Sequence, residues 1–211
     1  SSFDLRRALL HGLVPAVWAR PKSQTPDALS AYVSLYIKQE VQDEGLVRDV
    51  GGFSRFLEAL SLSHGAPLNL ANVARDCEVS RKTVEGYVEV VEDLMLGFRV
   101  GIFARRAQRQ LAAHPKFFFF DTGVFRDLRP RGPLDTTSEI GGAALEGLVA
   151  QHLRAWVDYR GADLRLFYWR TRAGNEVDFV LYGGDGLYAI EVKSRERVRP
   201  EDLRGLRAFL A

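Results

Sequence analysis

The chain holds one cysteine, Cys77, which excludes an internal disulfide and a thiolate zinc site. Cys77 reads as a small buried hydrophobe. The one methionine, Met95, is internal, and the expectation is a piece of a longer protein. No apolar run approaches the length that a bilayer span needs, and no signal peptide is recognisable. The expected location is therefore cytoplasmic, with no membrane partner. No glycine-rich loop ending in Gly-Lys-Ser/Thr occurs, so the chain lacks the phosphate cradle of an ATP site. A net charge of only +2 argues against a bulk polyanion binder. What is present, 211 residues at 46% hydrophobic, can bury one good core or two small ones.

The most informative stretch lies near the C-terminus. Glu176 to Tyr182 and Leu187 to Lys193 are two β-branched and aromatic runs around Gly183-Gly184-Asp185-Gly186, a strong hairpin signal. With the loop centred between Gly184 and Asp185, Asp178 falls directly opposite Glu191, their Cβ atoms about 5 Å apart. Lys193 shares that face, because side chains alternate with period two. Two facing carboxylates repel, and a divalent cation between them removes the cost. Oxygen-only ligands suit Mg²⁺ or Mn²⁺, so Asp178 and Glu191 are the candidate metal ligands. Lys193 beside them could orient a water or stabilise charge on a phosphate. The rival reading is an exposed hairpin with ordinary surface charges. A slip of one residue in register puts the two acids on opposite faces.

Glu146 is a further acidic candidate. Residues 140–156 show helical apolar spacing at Leu145, Leu148, Val149, Leu153 and Trp156. Glu146 stands at the edge of that stripe, where a buried carboxylate needs a partner such as a metal or Lys193. A Glu leaning out to solvent is equally compatible.

These residues resemble a known constellation. Glu146 on a helix, Asp178 on a strand and Glu191-Val192-Lys193 on the next are similar to the PD-(D/E)XK nuclease-like superfamily, the restriction-endonuclease-like fold. The runs Pro115 to Val124, Tyr168-Trp169-Arg170-Thr171, Glu176 to Val180 and Leu203-Arg204-Gly205-Leu206 carry a closer resemblance. Together they are similar to the C-terminal region, a domain of unknown function, that follows the nucleotide-binding domain in a family of prokaryotic AAA-type ATPases. The resemblance implies that ATP binds only in an N-terminal ATPase domain outside this chain, which would be its partner. The broader superfamily implies nuclease chemistry at Asp178, Glu191 and Lys193, with Glu146 in support.

The first part of the chain reads as helical. Amphipathic helices are expected over about 28–44 and 46–62, separated by Gly45. Asn69 can cap a short helix to about Asp76, and Ser80 a longer one to about Leu96. That is helix-turn-helix spacing over about 69–96, with Arg81, Lys82 and Thr83 at the exposed start of the second helix. Strands at 98–103 and 116–120 around a basic loop would form a wing over about 97–120. DNA contact would use Arg81, Lys82 and Thr83 with the loop residues Arg105, Arg106 and Arg109. Glu85, Glu89, Glu92 and Asp93 on the same helix argue against it, and winged helices also contact proteins.

Asp121-Thr122-Gly123 matches the aspartic-protease tripeptide, but a single copy would require a symmetric dimer. A turn ending an apolar strand explains it better. Residues 130–139 read as a linker. The expected architecture is therefore α/β of the α+β kind. A helical and winged-helix part (1–129) precedes a restriction-endonuclease-like mixed sheet flanked by helices (140–211). Two functions compete: Mg²⁺- or Mn²⁺-dependent DNA cleavage, and a non-catalytic DNA- or protein-binding module coupled to the ATPase. The oligomeric state is left open.

Overall fold

Short polar side chains open most of the helices, each accepting a first-turn N–H that has no partner inside its own helix. Asp4 caps α1 (Leu5–His11) in this way. There follow α2 (Pro15–Trp18), α3 (Thr25–Ala31) and, after a π-helical turn at Tyr32–Ile37, α4 (Lys38–Asp43). Asp49 starts α5 (Val50–Ser61) by accepting the Gly52 N–H at 2.8 Å. That cap sets the start of the second long helix several residues later than the apolar spacing alone predicts. After β1 (Ala66–Pro67), Asn69 caps α6 (Leu70–Asp76) and Ser80 caps α7 (Arg81–Asp93). The chain is described here by a computed structural model, which covers residues 3–43, 45, 47–104, 114–133, 135–161, 163–184 and 186–211.

Strands β2 (Gly97–Ile102) and β3 (Lys116–Phe119) come next, then α8 (Thr122–Leu128) and the long α9 (Thr137–Arg160). Thr136 caps α9, and Gly161, in the left-handed region at φ 55, ends it. Strands β4 (Leu164–Arg170), β5 (Glu176–Gly183) and β6 (Gly186–Ile190) form a meander, and α10 (Arg204–Leu210) closes the chain.

The fold is mixed α/β, with one six-stranded sheet in the order β1-β3-β2-β4-β5-β6. All pairings are antiparallel except β2 with β4, which run parallel through Gly101↔Phe167 and Ile102↔Tyr168. That parallel seam joins strands that precede residues 130–139 to strands that follow them. Helices α1 to α8 enclose one core around Phe53, Phe56, Tyr87, Phe117 and Phe125. Helix α9 covers one face of the sheet, burying Phe98, Phe118, Tyr168 and Phe179. Helix α10 covers the other, where Phe209 packs with Val177 and Val180. Among the described residues no helix is long and apolar enough to cross a membrane.

Candidate functional site

The hairpin pairs in the register that equal spacing about its loop predicts. Phe179 faces Ile190, Val180 faces Ala189, and the ladder runs out to Gly183↔Gly186. Asp185, at the loop centre, lies outside the described residues. The expected strand through Lys193 stops at Ile190, because the backbone ladder is replaced there. The Asp178 carboxylate accepts the Val192 N–H through Oδ2 at 2.7 Å.

On its other edge β5 carries a bulge. Phe167 pairs with Val180 and Trp169 with Val177, so Tyr168 alone opposes both Asp178 and Phe179. Strict alternation would send Asp178 with Val180 toward α10. The extra residue re-aims it toward the α9 face, which is a common use of a bulge beside a site.

On that face stands Lys116, with only 1% of its side chain exposed. Lys116 and Phe118 share the α9 side of β3, while Phe117 and Phe119 enter the helical core. The ammonium lies 2.8 Å from Glu146 Oε1, 2.6 Å from Glu176 Oε1 and 3.9 Å from Asp178 Oδ1. The Tyr168 ring lies beneath it, 5.4 Å from Nζ to the centroid. Burial works against the charge of this lysine, but Glu146 and Glu176 more than offset that and push its pKa up. Burial raises Glu146 to about 7, Lys116 opposing, with the charges of Asp178 and Glu176 adding to the rise.

Where β6 leaves β5, Glu191 joins the group. Its Oε1 pairs with Lys193 Nζ at 2.6 Å. Its Oε2 is buried without a hydrogen-bond partner among the described residues. The Asp178 N–H lies near and favours the ionised form without meeting the oxygen at bonding geometry. Burial lifts the Glu191 pKa, Lys193 opposes, and the Asp178 charge lifts it further. Lys193 is itself raised: burial works against its charge, but Glu191 and Asp178 prevail. Over this point passes α10. A side chain at Gly205 would strike the Glu176 carbonyl oxygen and lie 3.5 Å from Glu191 Oε2.

Glu146 and Asp178 thus stand around Lys116, Glu191 and Lys193 pair with each other, and the bond from the Val192 N–H to Asp178 links the two pairs. Sequence reasoning missed two members, Lys116 and Glu176. Lys116 left a signal: a lysine leading into four phenylalanines enters a buried strand and needs an anionic partner.

Glu191 Oε2 has no hydrogen-bond partner among the described residues, and Asp178 Oδ1 faces the Lys116 ammonium at 3.9 Å. Mg²⁺ is commonly held by one or two carboxylates, with waters and substrate phosphate completing the shell. The pair meets that need in number, with Asp178 on the α9 side of the sheet by Lys116 and Glu191 on the α10 side by Gly205. Among the described residues no set of three or more His, Cys, Asp and Glu side chains forms a ready-made metal centre.

At the expected DNA-binding helix, Arg81 pairs with Glu85 at 3.0 Å, and Thr83 Oγ1 lies 2.8 Å from the Ser80 hydroxyl. Lys82 is exposed. Glu92, expected to repel phosphate, is held by Arg99 Nε at 2.8 Å. Arg105, Arg106 and Arg109 lie outside the described residues. Asp121 is a buried helix cap that accepts the Gly123, Val124 and Leu13 N–H groups, tying the α1–α2 loop to α8. A cavity of about 520 Å³ lined by His11, Arg126 and Arg131 shares no residue with the carboxylate group.

Residues 2–135 match the family described as Domain of unknown function (DUF8612), and residues 141–211 match Domain of unknown function (DUF4143). Uncharacterized proteins of Mycobacterium bovis and Mycobacterium tuberculosis are each 27% identical over 214 aligned residues, covering 100% of this chain. The chain spans 47% of the length of either relative. No solved structure matches it.

Proposed function

The chain belongs to the DUF8612 family, and from its carboxylate group we propose that it carries a Mg²⁺- or Mn²⁺-dependent site for phosphodiester cleavage in DNA. One observation carries the reading. Glu191 Oε2 is buried with no hydrogen-bond partner among the described residues, Lys193 is fixed on the same carboxylate, and Asp178 Oδ1 stands 3.9 Å from the Lys116 ammonium. These two carboxylates would hold the ion. When bound, it would lower the pKa of a water and draw charge from a phosphate.

The chain's own groups supply the rest. Lys193, one-third exposed and paired with Glu191, can donate to a phosphate oxygen entering from solvent. Glu146, with a pKa near 7, can hold or release a proton near neutral pH within the same hydrogen-bonded group. Arg81 and Lys82 at the start of α7 would bear on the DNA backbone. In this reading the fold is of the restriction-endonuclease-like kind with a winged helix before it. The ATPase domain that the resemblance implies would lie in the part of the parent protein beyond this chain. A cytoplasmic setting agrees with the unpaired, buried Cys77.

A second reading rests on Lys116. Its ammonium already pairs with both Glu146 and Glu176, so the acidic group has a cationic partner without any metal. The chain would then be a non-catalytic module that binds DNA or protein and reports to the ATPase.

Plasmid nicking with and without Mn²⁺, for the natural chain and for Asp178→Ala, separates the two. Metal-dependent nicking lost in Asp178→Ala supports cleavage. Equal activity in both would mean contamination and remove the enzymatic reading.

A further inference from the structure

The cavity of about 520 Å³ is formed by α1, α3, α8 and the segment that follows α8. His11, the last residue of α1, lines it together with Arg126, Arg129 and Arg131. Leu10, Pro26 and Leu29 supply an apolar wall. Volumes of this order hold small molecules, and a few charged groups on the lining fix the orientation of what binds. Arg129 pairs with Asp135 at 3.0 Å, and Asp127 accepts the Ser30 hydroxyl at 2.6 Å. Among the described residues neither Arg126 nor Arg131 has a carboxylate at ion-pair distance, and Arg131 donates instead to the Arg126 carbonyl at 3.4 Å. The two side chains feel each other: burial lowers the Arg126 pKa, and the Arg131 charge lowers it further. Burial also lowers His11, with the charges of Arg7 and Arg126 adding to the fall, so the imidazole is neutral at about pH 7.

We infer that this cavity binds a small phosphate monoester, its dianion held by Arg126 and Arg131 and its organic body set against Leu10, Pro26 and Leu29. The charges select the ligand. The Arg7 charge, felt at His11, offsets Asp127, the one acid on the lining among the described residues. Two guanidinium charges, on Arg126 and Arg131, then call for an anion. A carboxylate brings one negative charge. A phosphate monoester, whose second proton leaves at about pH 6, brings close to two, on oxygens that match the guanidinium fork. A DNA backbone, with one charge per phosphodiester, matches the pair less well. The site shares no residue with Asp178, Glu191 or Lys193 and stands apart from the metal reading.

The test is isothermal titration calorimetry at about pH 7.5, where the monoester is a dianion, in buffer free of divalent cations. Phenyl phosphate should bind once per chain. Phenyl sulfate, of the same shape with one charge, should bind roughly tenfold more weakly, and inorganic phosphate, which lacks the ring, should also bind more weakly. Arg126→Ala and Arg131→Ala should each weaken phenyl phosphate roughly tenfold, and Arg126→Lys, which keeps the charge without the fork, by less. Absence of phenyl phosphate binding would overturn the inference. So would phenyl sulfate or inorganic phosphate binding as tightly, or full affinity in Arg131→Ala. A DNA duplex without terminal phosphates that displaces phenyl phosphate would make the cavity part of a backbone-binding surface and overturn it likewise. If Arg126→Ala does not fold, as shown by circular dichroism, the exposed Arg131 still decides. With no divalent cation present, none of these outcomes touches the metal reading.

Discussion

Asp178 and Val192 are joined by a side-chain-to-backbone bond of 2.7 Å at the point where β6 ceases to pair with β5. One carboxylate therefore has a structural duty through Oδ2 and is free to face cations through Oδ1.

The two duties come apart by substitution. Asp178→Asn keeps an oxygen for the Val192 N–H and should change stability by about 1 kcal/mol or less. Asp178→Ala leaves that N–H without its partner and should cost roughly 1–3 kcal/mol. Both should weaken Mn²⁺ binding at least tenfold. Urea melts and metal titrations of the three proteins check this, and full Mn²⁺ affinity in the Asn variant would refute the assignment of Asp178 as a ligand.

Removing the buried ammonium should be more damaging. Lys116→Met keeps the volume but leaves Glu146 and Glu176 facing each other uncompensated, a loss of about 3–5 kcal/mol for a broken buried pair. The double variant Lys116→Met with Glu146→Gln should recover part of that loss. A chemical-denaturation cycle reads the coupling, and no recovery would mean that the pair does not act as one unit.

The pH dependence of stability carries two opposing signatures. Glu146 is raised from 4.5 to about 7, so the folded state holds its proton longer than the unfolded chain. Its contribution is full below pH 4.5 and is lost as pH climbs toward 7. His64 is buried, accepts the Phe119 N–H on Nδ1 at 3.1 Å, and is depressed from 6.5 to about 3, chiefly by burial. Its contribution is full above pH 6.5 and is lost on acidification toward pH 3. Between pH 4.5 and 6.5 the two slopes have opposite sign, each at most about 1.4 kcal/mol per pH unit. Glu146→Gln removes one slope, so its stability should fall more steeply than that of the natural chain from pH 6.5 to 4.5. Parallel curves in urea melts at several pH values would contradict this.

Gly205 offers a purely steric test. A methyl group there meets the Glu176 carbonyl, a backbone atom with little freedom to move. Gly205→Ala should cost about 1–3 kcal/mol by overpacking, lift α10 and admit water to Glu191. Thermal melts should show the loss, and hydrogen exchange should show faster exchange around β5 and α10.

DNA binding, where the natural chain shows it, should depend on salt. Replacing Arg81, Lys82, Arg105 and Arg106 together should weaken retention. The slope of log K against log salt should flatten by about 0.9 for each phosphate no longer neutralised. Unchanged retention would remove the helix-turn-helix from the DNA-binding surface.

Much of this arrangement was legible in the residues alone, because it depends on local signals. The turn glycines fix the hairpin register, and Asn69 and Ser80 mark two helix starts by their capping chemistry. The bulge at Asp178 was not legible. It shows only in the pairing of β5 with β4, where Tyr168 opposes two residues, and the run from Glu176 to Val180 alternates like any regular strand. Lys116 and Glu176 escaped for a related reason: Lys116 and its two glutamate partners lie 30 and 60 residues apart along the chain, and only the packing of α9 on the sheet and the strand order bring them together.

The parallel seam between β2 and β4 has a practical consequence for anyone wishing to dissect the molecule. Cutting near residue 138 would strip β4 of its neighbour, leaving a raw edge open to self-association. It would also separate Glu146, Glu176 and Asp178 from the lysine they face. The two family segments are separable on paper, but as matter they are a single indivisible piece.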